Sequence, residues 1–139
     1  MSDLSNRVAL VTGASVGIGR AVALRLAEAG AFVGVHFNTG KAEAEETLAV
    51  IREAGGDGML LQADLANAEQ AMGLVTQLVT QTEQLDILVN NAGALLQRVM
   101  IEDCPLENWE KTLAVNLTGS FLVTQKAIPH LKASGNGAI

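Results

Sequence analysis

Three glycines punctuate Thr12-Gly13-Ala14-Ser15-Val16-Gly17-Ile18-Gly19, between an apolar run, Val8 to Val11, and a helical pattern from Ala21 to Ala27. Strand, glycine-rich turn and helix in that order open a unit that binds a dinucleotide. Gly13 can take the tight turn off the strand, which a Cβ would penalise. Gly17 lets the main chain approach a pyrophosphate, and Gly19 lets the helix pack hard against the strand. The first helical turn offers free N–H groups and the positive end of a dipole to the phosphates. The candidate coenzyme-binding residues here are Thr12, Gly13, Ser15, Val16, Gly17, Ile18 and Gly19.

Other residues able to do chemistry stand at strand ends. Asn90-Asn91-Ala92-Gly93 closes an apolar run; Asn side chains can pin backbone groups where a strand turns outward, and Gly93 permits close approach of a ring. Asp64, ahead of Leu65, can accept a hydrogen bond from an amino group in a cleft. It can equally serve as an N-cap or first-turn carboxylate of the helix that follows. His36, before Phe37 and Asn38, is either a plain strand-end residue or an adenosine contact. Asn116 lies mid-helix, where Asn is mildly unfavourable; bonding a buried water or a kinked carbonyl would give a reason for it, and a satisfied core Asn is the other reading. His130 reads as a helix-end residue favoured by the dipole. No metal site is read.

The elements that position these residues alternate along the chain. The pattern predicts strands at 8–11, 32–37, 59–62 and 85–90, with helices after each. Gly30 and Gly55-Gly56 stop the first two helices, and the third runs from Asn67 or Ala68 to Glu83 with Met72, Val75, Leu78 and Val79 inward. A long helix is expected from Pro105 to about His130, bent or ended by Pro129. Trp109, Leu113, Leu117 and Phe121 form an apolar stripe read as a packing face, which could also pair the helix with a second copy. The alternation predicts a parallel sheet with helices on both faces; with the dinucleotide-binding turn, the expectation is an α/β, Rossmann-type, doubly wound sheet in the order 3-2-1-4, over residues 1–139 as one domain. Ala138-Ile139 reads as the start of a fifth strand, so the chain is expected to be a fragment, incomplete at its C-terminus.

Bulk composition narrows the function. The 139 residues are 49% hydrophobic and 17% charged, which is ordinary for a globular domain and excludes disorder. A net charge of −6 with no basic cluster argues against nucleic-acid or anionic-membrane partners. No run approaches membrane-spanning length, and Met1 to Asn6 shows no basic or apolar leader pattern. The lone Cys104, before Pro105, reads as a small loop residue and suits a reducing compartment; the expected location is cytoplasmic.

The loop is spaced Thr-Gly-x-x-x-Gly-x-Gly rather than Gly-x-Gly-x-x-Gly. With Asn90-Asn91-Ala92-Gly93 downstream, this resembles the short-chain dehydrogenase/reductase family, of the 3-oxoacyl-ACP-reductase or glucose-dehydrogenase type. The resemblance covers the chain but only the coenzyme-binding half of a member of usual length. It implies an NAD(P)-dependent oxidoreductase moving a hydride between a small-molecule carbonyl and alcohol; the long helix adds the expectation of a homo-oligomer paired through it. It also implies that Asp64 and Leu65 meet the adenine end, that Asn91, Ala92 and Gly93 support the sheet beside the coenzyme, and that Asn116 belongs to an Asn-Ser-Tyr-Lys catalytic group. The sequence holds no Tyr, so these 139 residues alone are expected to be inactive. No Asp or Glu stands among His36, Phe37 and Asn38 to read a ribose 2′-OH, which favours NADP and leaves NAD open; Arg20 or Lys41 could meet a 2′-phosphate. A non-catalytic nucleotide-binding or subunit-interaction module is the competing reading. A Rossmann-like methyltransferase is disfavoured by the missing strand-end acid and by Asn90–Gly93.

Overall fold

The computed structural model describes residues 3–139; Met1 and Ser2, part of the segment read for a leader, lie outside them. Strands β1 (Val8–Val11), β2 (Phe32–Phe37), β3 (Asp57–Gln62) and β4 (Ile87–Val89) form one parallel sheet in the order β3-β2-β1-β4. Helices α1 (Gly17–Glu28), α2 (Lys41–Glu53) and α3 (Ala68–Thr82) connect them. Beyond β4 come a loop, α4 (Leu106–Leu113), a π-helical turn (Ala114–Thr118) and α5 (Gly119–Ala133). The expected strand order holds. Ala138 adds an isolated parallel bridge to Ile87 on the outer side of β4.

Both faces of β1 are covered, which is why it reads as an unbroken apolar run rather than an alternating one. Successive side chains point to opposite faces. Val8 and Leu10 join Leu61, Leu74, Leu78, Leu88 and Val123 under α3 and α5. Ala9 and Val11 join Val33, Val35, Phe37, Ala44 and Ile51 under α1 and α2. Each fully buried Leu or Val contributes about 1.5–3 kcal/mol. Such side chains in both layers hold the strand ends still.

Several boundaries and faces differ from the sequence reading. β3 starts at Asp57, because backbone pairing with Phe32 and Val33 extends the strand through Asp57-Gly58, which carry no apolar signal. β4 is only Ile87–Val89, although the Asp86 N–H still donates to the Val8 carbonyl at 2.9 Å. In α3 the buried positions are Ala71, Leu74, Val75 and Leu78, and Met72 is only half-buried. The cap of α3 is Asn67, whose side chain accepts the Gln70 N–H at 3.0 Å, and not Asp64.

The long helix departs most. Pro129 does not end it, since α5 continues to Ala133. The stripe read as its packing face points outward: Trp109 is 56% exposed, Leu117 64% and Phe121 59%. The face on the core is instead Gly119, Val123, Ala127 and Leu131. A Cβ on Gly119 would come within 2.6 Å of the Leu65 carbonyl oxygen, so a small residue lets this helix settle onto the end of β3. Among the described residues no helix is long and apolar enough to cross a membrane.

Candidate functional site

From β1 the chain crosses to β2 and β3 on one side, and later to β4 on the other. Loops leaving neighbouring strands in opposite directions open a crevice at the strands' carboxyl ends. A cleft of about 430 Å³ lies there. Its lining brings together Gly13, Ser15, His36, Phe37, Asn38, Asp64, Leu65, Ala92 and Gly93, all selected from sequence.

The glycine-rich loop is held from both sides. Thr12 is buried, and its hydroxyl oxygen accepts the Asn91 and Ala92 N–H groups, each at 2.9 Å. The Asn91 side-chain amide donates to the Thr12 carbonyl at 2.9 Å and to the Gly13 carbonyl at 3.1 Å. Asn91 thus does what its type predicted, pinning backbone where β4 turns outward. Asn90 donates instead to the Thr124 hydroxyl on α5, at 2.9 Å. Opposite, the Gly13 N–H donates to His36 Nδ1 at 2.9 Å.

Gly13 has a φ of +64°, in the left-handed region that favours glycine, and a Cβ there would stand 2.9 Å from the Ala92 Cα. Gly17 also has a positive φ, +59°, yet a Cβ would meet nothing within 4 Å. Gly19 is the tight one: a Cβ would lie 2.1 Å from the Gly13 carbonyl oxygen. The start of α1 therefore packs on the turn itself. Val16 occupies the N-cap position with no side-chain cap bond, so the first turn of α1 has no competing carboxylate or hydroxyl on it. Val16, Gly17 and Ile18 are exposed there.

At the end of β3, Asp64 accepts the Ala66 N–H at 2.9 Å, while its own N–H donates to the Gln70 side chain at 2.8 Å. That local turn orients it along the cleft wall. Asn116 lies in the π-helical turn rather than in regular helix, and is exposed. Its amide donates to the Thr112 and Ala94 carbonyls, both at 2.8 Å, and its oxygen accepts the Ala94 N–H at 3.1 Å. The carbonyl partners expected for it are present, and one of them, Ala94, lines the cleft. Gly93 admits the Asn116 oxygen, which a Cβ at that glycine would meet at 2.8 Å.

Thr12, Val16, Gly17, Ile18, Gly19, Asn91 and Asn116 do not line the cleft; they border or support it. Its remaining lining, including Ala63, Ala94, Leu96, Lys111 and Val115, was not singled out from sequence. Val115 adjoins Asn116, and that adjacency was the available signal. Lys111 bonds Glu107 at 2.7 Å, which raises the lysine pKa and lowers that of the carboxylate. The two cations read for a 2′-phosphate are both in ion pairs, Arg20 with Glu46 at 2.8 Å and Lys41 with Glu45 at 3.7 Å.

Comparison with known proteins agrees with this geometry. A family model described as short chain dehydrogenase matches residues 7–139. An uncharacterized oxidoreductase of Methylorubrum extorquens is 43% identical over 136 residues, 98% of this chain and 54% of that protein. The 3-oxoacyl-[acyl-carrier-protein] reductase of Staphylococcus aureus is 39% identical, over 94% of this chain and 53% of its own length. Among solved structures, a short chain dehydrogenase from Burkholderia cenocepacia in complex with NADP aligns with a TM-score of 0.89 at 35% identity. That alignment covers 94% of this chain and 53% of the other. The chain spans about half the length of the curated relatives it matches. A matched family over nearly all of its residues, on a sheet of this order with this glycine-rich turn, makes the chain a member of the short chain dehydrogenase family.

Proposed function

We propose that this chain is the coenzyme-binding part of an NAD(P)-dependent oxidoreductase that interconverts a carbonyl and an alcohol by hydride transfer. One observation carries the reading: the uncapped start of α1 and the open space at Gly17 adjoin a cleft lined by Gly13, Asn38, Asp64 and Gly93. A dinucleotide fits this arrangement, since its pyrophosphate needs free N–H groups and a backbone without Cβ atoms. Gly13, Ser15 and Val16 to Gly19, steadied by Thr12, hold the pyrophosphate. His36, Phe37 and Asn38 face the adenosine ribose, Asp64 and Leu65 the adenine. Asn91, Ala92 and Gly93 border the nicotinamide side, where the coenzyme supplies or accepts the hydride. Asn116 is the catalytic group within these residues.

NADP is the assigned coenzyme, with NAD as the competitor. Support comes from the absence of a carboxylate among His36, Phe37 and Asn38, and from the NADP complex of the Burkholderia relative. Surface ion pairs such as Arg20–Glu46 are weak enough for a phosphate to exchange into. The test is fluorescence titration of the chain with NADPH and NADH. We expect both to bind, NADPH more tightly. Binding of neither would turn the reading to a subunit-interaction module.

General acid catalysis contributes roughly 10²–10⁴-fold to such reactions, and Asn116 offers no titrating proton. These 139 residues should therefore bind coenzyme without carbonyl turnover. The cytoplasm is the proposed location, which suits the lone Cys104. The proposed partner is a second copy, docked through Trp109, Leu113, Leu117 and Phe121, which together leave an apolar face in water. Trp109→Lys should shift sedimentation from dimer to monomer while changing stability by less than about 0.5 kcal/mol. A clean monomer before substitution would contradict the docking face.

A further inference from the structure

His36 is 2% exposed, on a strand whose other side chains are aliphatic or aromatic. A buried imidazole is costly unless its nitrogens are bonded. Here both are: Nδ1 accepts the Gly13 N–H at 2.9 Å, and Nε2 lies 3.0 Å from the Ala63 carbonyl oxygen. A backbone N–H can only donate and a carbonyl can only accept, so Nδ1 is bare and the proton sits on Nε2. The neighbouring backbone reinforces both links. The Ala14 N–H donates to the His36 carbonyl at 2.8 Å, and the Ala63 N–H to the Phe37 carbonyl at 3.1 Å. Gly13 and Ala63 belong to different segments, and both line the cleft.

We propose that His36 is a positioning residue for the coenzyme: its neutral ring latches the first turn of the glycine-rich loop to the end of β3, and a proton on Nδ1 releases that loop. The inference rests on the coenzyme reading above. The Gly13 peptide is gripped at its N–H by His36 from β2 and at its carbonyl by Asn91 from β4. Asn91 cannot change charge near neutral pH. His36 can, and its protonation would set two donors against each other where an acceptor is required.

Burial holds the imidazole pKa below its ordinary value, and the Ala63 carbonyl only partly opposes this. The charged groups around it are few. Asp64 follows Ala63 on the same cleft wall, Lys111 lines the cleft from α4, and Glu43 reaches from α2 towards Gly40, beside Ser15. β1 contributes none. Lys111 is itself paired with Glu107.

The experiment measures NADPH affinity of the full chain from pH 8.5 to 5, unaltered and as His36→Asn, His36→Gln and His36→Phe. Asn places an acceptor near the Nδ1 position but has no proton to gain. Gln reaches Ala63 and gives up the Gly13 bond; Phe keeps the shape and loses both. In the unaltered chain affinity should fall with pH, steepening to about tenfold per pH unit once the ring titrates. H36N should start about threefold weaker and respond only to the ligand's own phosphate, whose second pKa is about 6. H36Q and H36F should be about tenfold weaker or worse at every pH. A merely structural histidine would lower stability in all three variants and leave the four pH profiles parallel.

A second measurement needs no variant. In ¹⁵N spectra of the unaltered chain, His36 should be the Nε2–H tautomer, and the Gly13 amide should shift with the same midpoint as the ring. A Gly13 amide indifferent to ring protonation, or superimposable pH profiles for the unaltered chain and H36N, would overturn the latch while leaving coenzyme binding intact. No binding of NADPH or NADH at pH 8 would overturn the coenzyme reading and the latch with it.

Discussion

The two ends of the sheet are each tied by a buried titratable side chain, neutral at one end and charged at the other. At the carboxyl ends, neutral His36 joins β2 to Gly13 and Ala63. At the amino ends, Asp86 stands just before β4 with its side chain 2% exposed. Its oxygens accept the Val8 N–H at 2.8 Å, Arg7 Nη1 at 2.9 Å and the Gln84 amide. Burial alone would raise the Asp86 pKa; bonds from Gln84, Val8 and Arg7, with the Arg7 charge, outweigh it and hold the carboxyl below its ordinary value. A hollow of about 500 Å³ opens at that end as well, lined by Arg7, Glu83, Gln84, Asp86 and His130 among others. The difference lies in the donors. Where several converge, a charge is tolerated and clasps the chain. At the cleft a single backbone donor, the Gly13 N–H, meets the imidazole Nδ1, and the buried group that steadies the loop stays uncharged.

The largest expected effect tests how tightly the cleft end is packed. Gly19→Ala should cost about 3 kcal/mol, the upper part of the overpacking range, and remove NADPH binding, because its Cβ would lie 2.1 Å from the Gly13 carbonyl oxygen. Gly17→Ala meets no atom and should cost only the strain of its φ of +59°, about 1 kcal/mol. Urea unfolding compares the two, and equal losses would contradict the packing contrast.

At the other end, Asp86→Ala should lower stability by about 2–3 kcal/mol, since it strands the Val8 N–H and leaves Arg7 without its partner. NADPH affinity of the folded variant should not change. A weakened affinity would mean that the two ends are coupled.

The smallest effect is in pH. His36 has a folded pKa below its unfolded value, so the folded state binds fewer protons and stability falls as pH drops from 6.5 towards that lower pKa. Asp86 has a lowered pKa too, but as an acid: its contribution is complete above 3.8 and lost only as pH falls through the depressed value. Unfolding midpoints at pH 8, 5.5 and 3 should therefore show two separate steps. His36→Asn should erase the first and Asp86→Asn the second; one merged step would refute the assignment.

Much of this was legible in the chain because it is written locally. Val8 to Val11, the glycines after it and the helical pattern beyond lie within a few turns of one another, so period and positive-φ demands declare strand, loop and helix in place. The parallel sheet followed from the alternation, and its order from the dinucleotide-binding character of the first turn. Asn91 was readable because an amide at a strand end has little to do except bond backbone.

The long helix shows where local reading stops. Trp109, Leu113, Leu117 and Phe121 recur every four residues, and so do Gly119, Val123, Ala127 and Leu131. Periodicity offers both stripes; bulk favours the first. The structure seats the second on the sheet, because its small residues let the helix come close to Leu65, a contact between positions far apart in sequence. His36 was ambiguous for the same reason. The sequence by itself determined the strand order, the glycine-rich turn and the strand-end candidates, all set by neighbours along the chain. Only the tertiary structure decided which helix face is buried and that His36 is a neutral link between Gly13 and Ala63, because burial and a hydrogen-bond partner are properties of what the fold brings alongside.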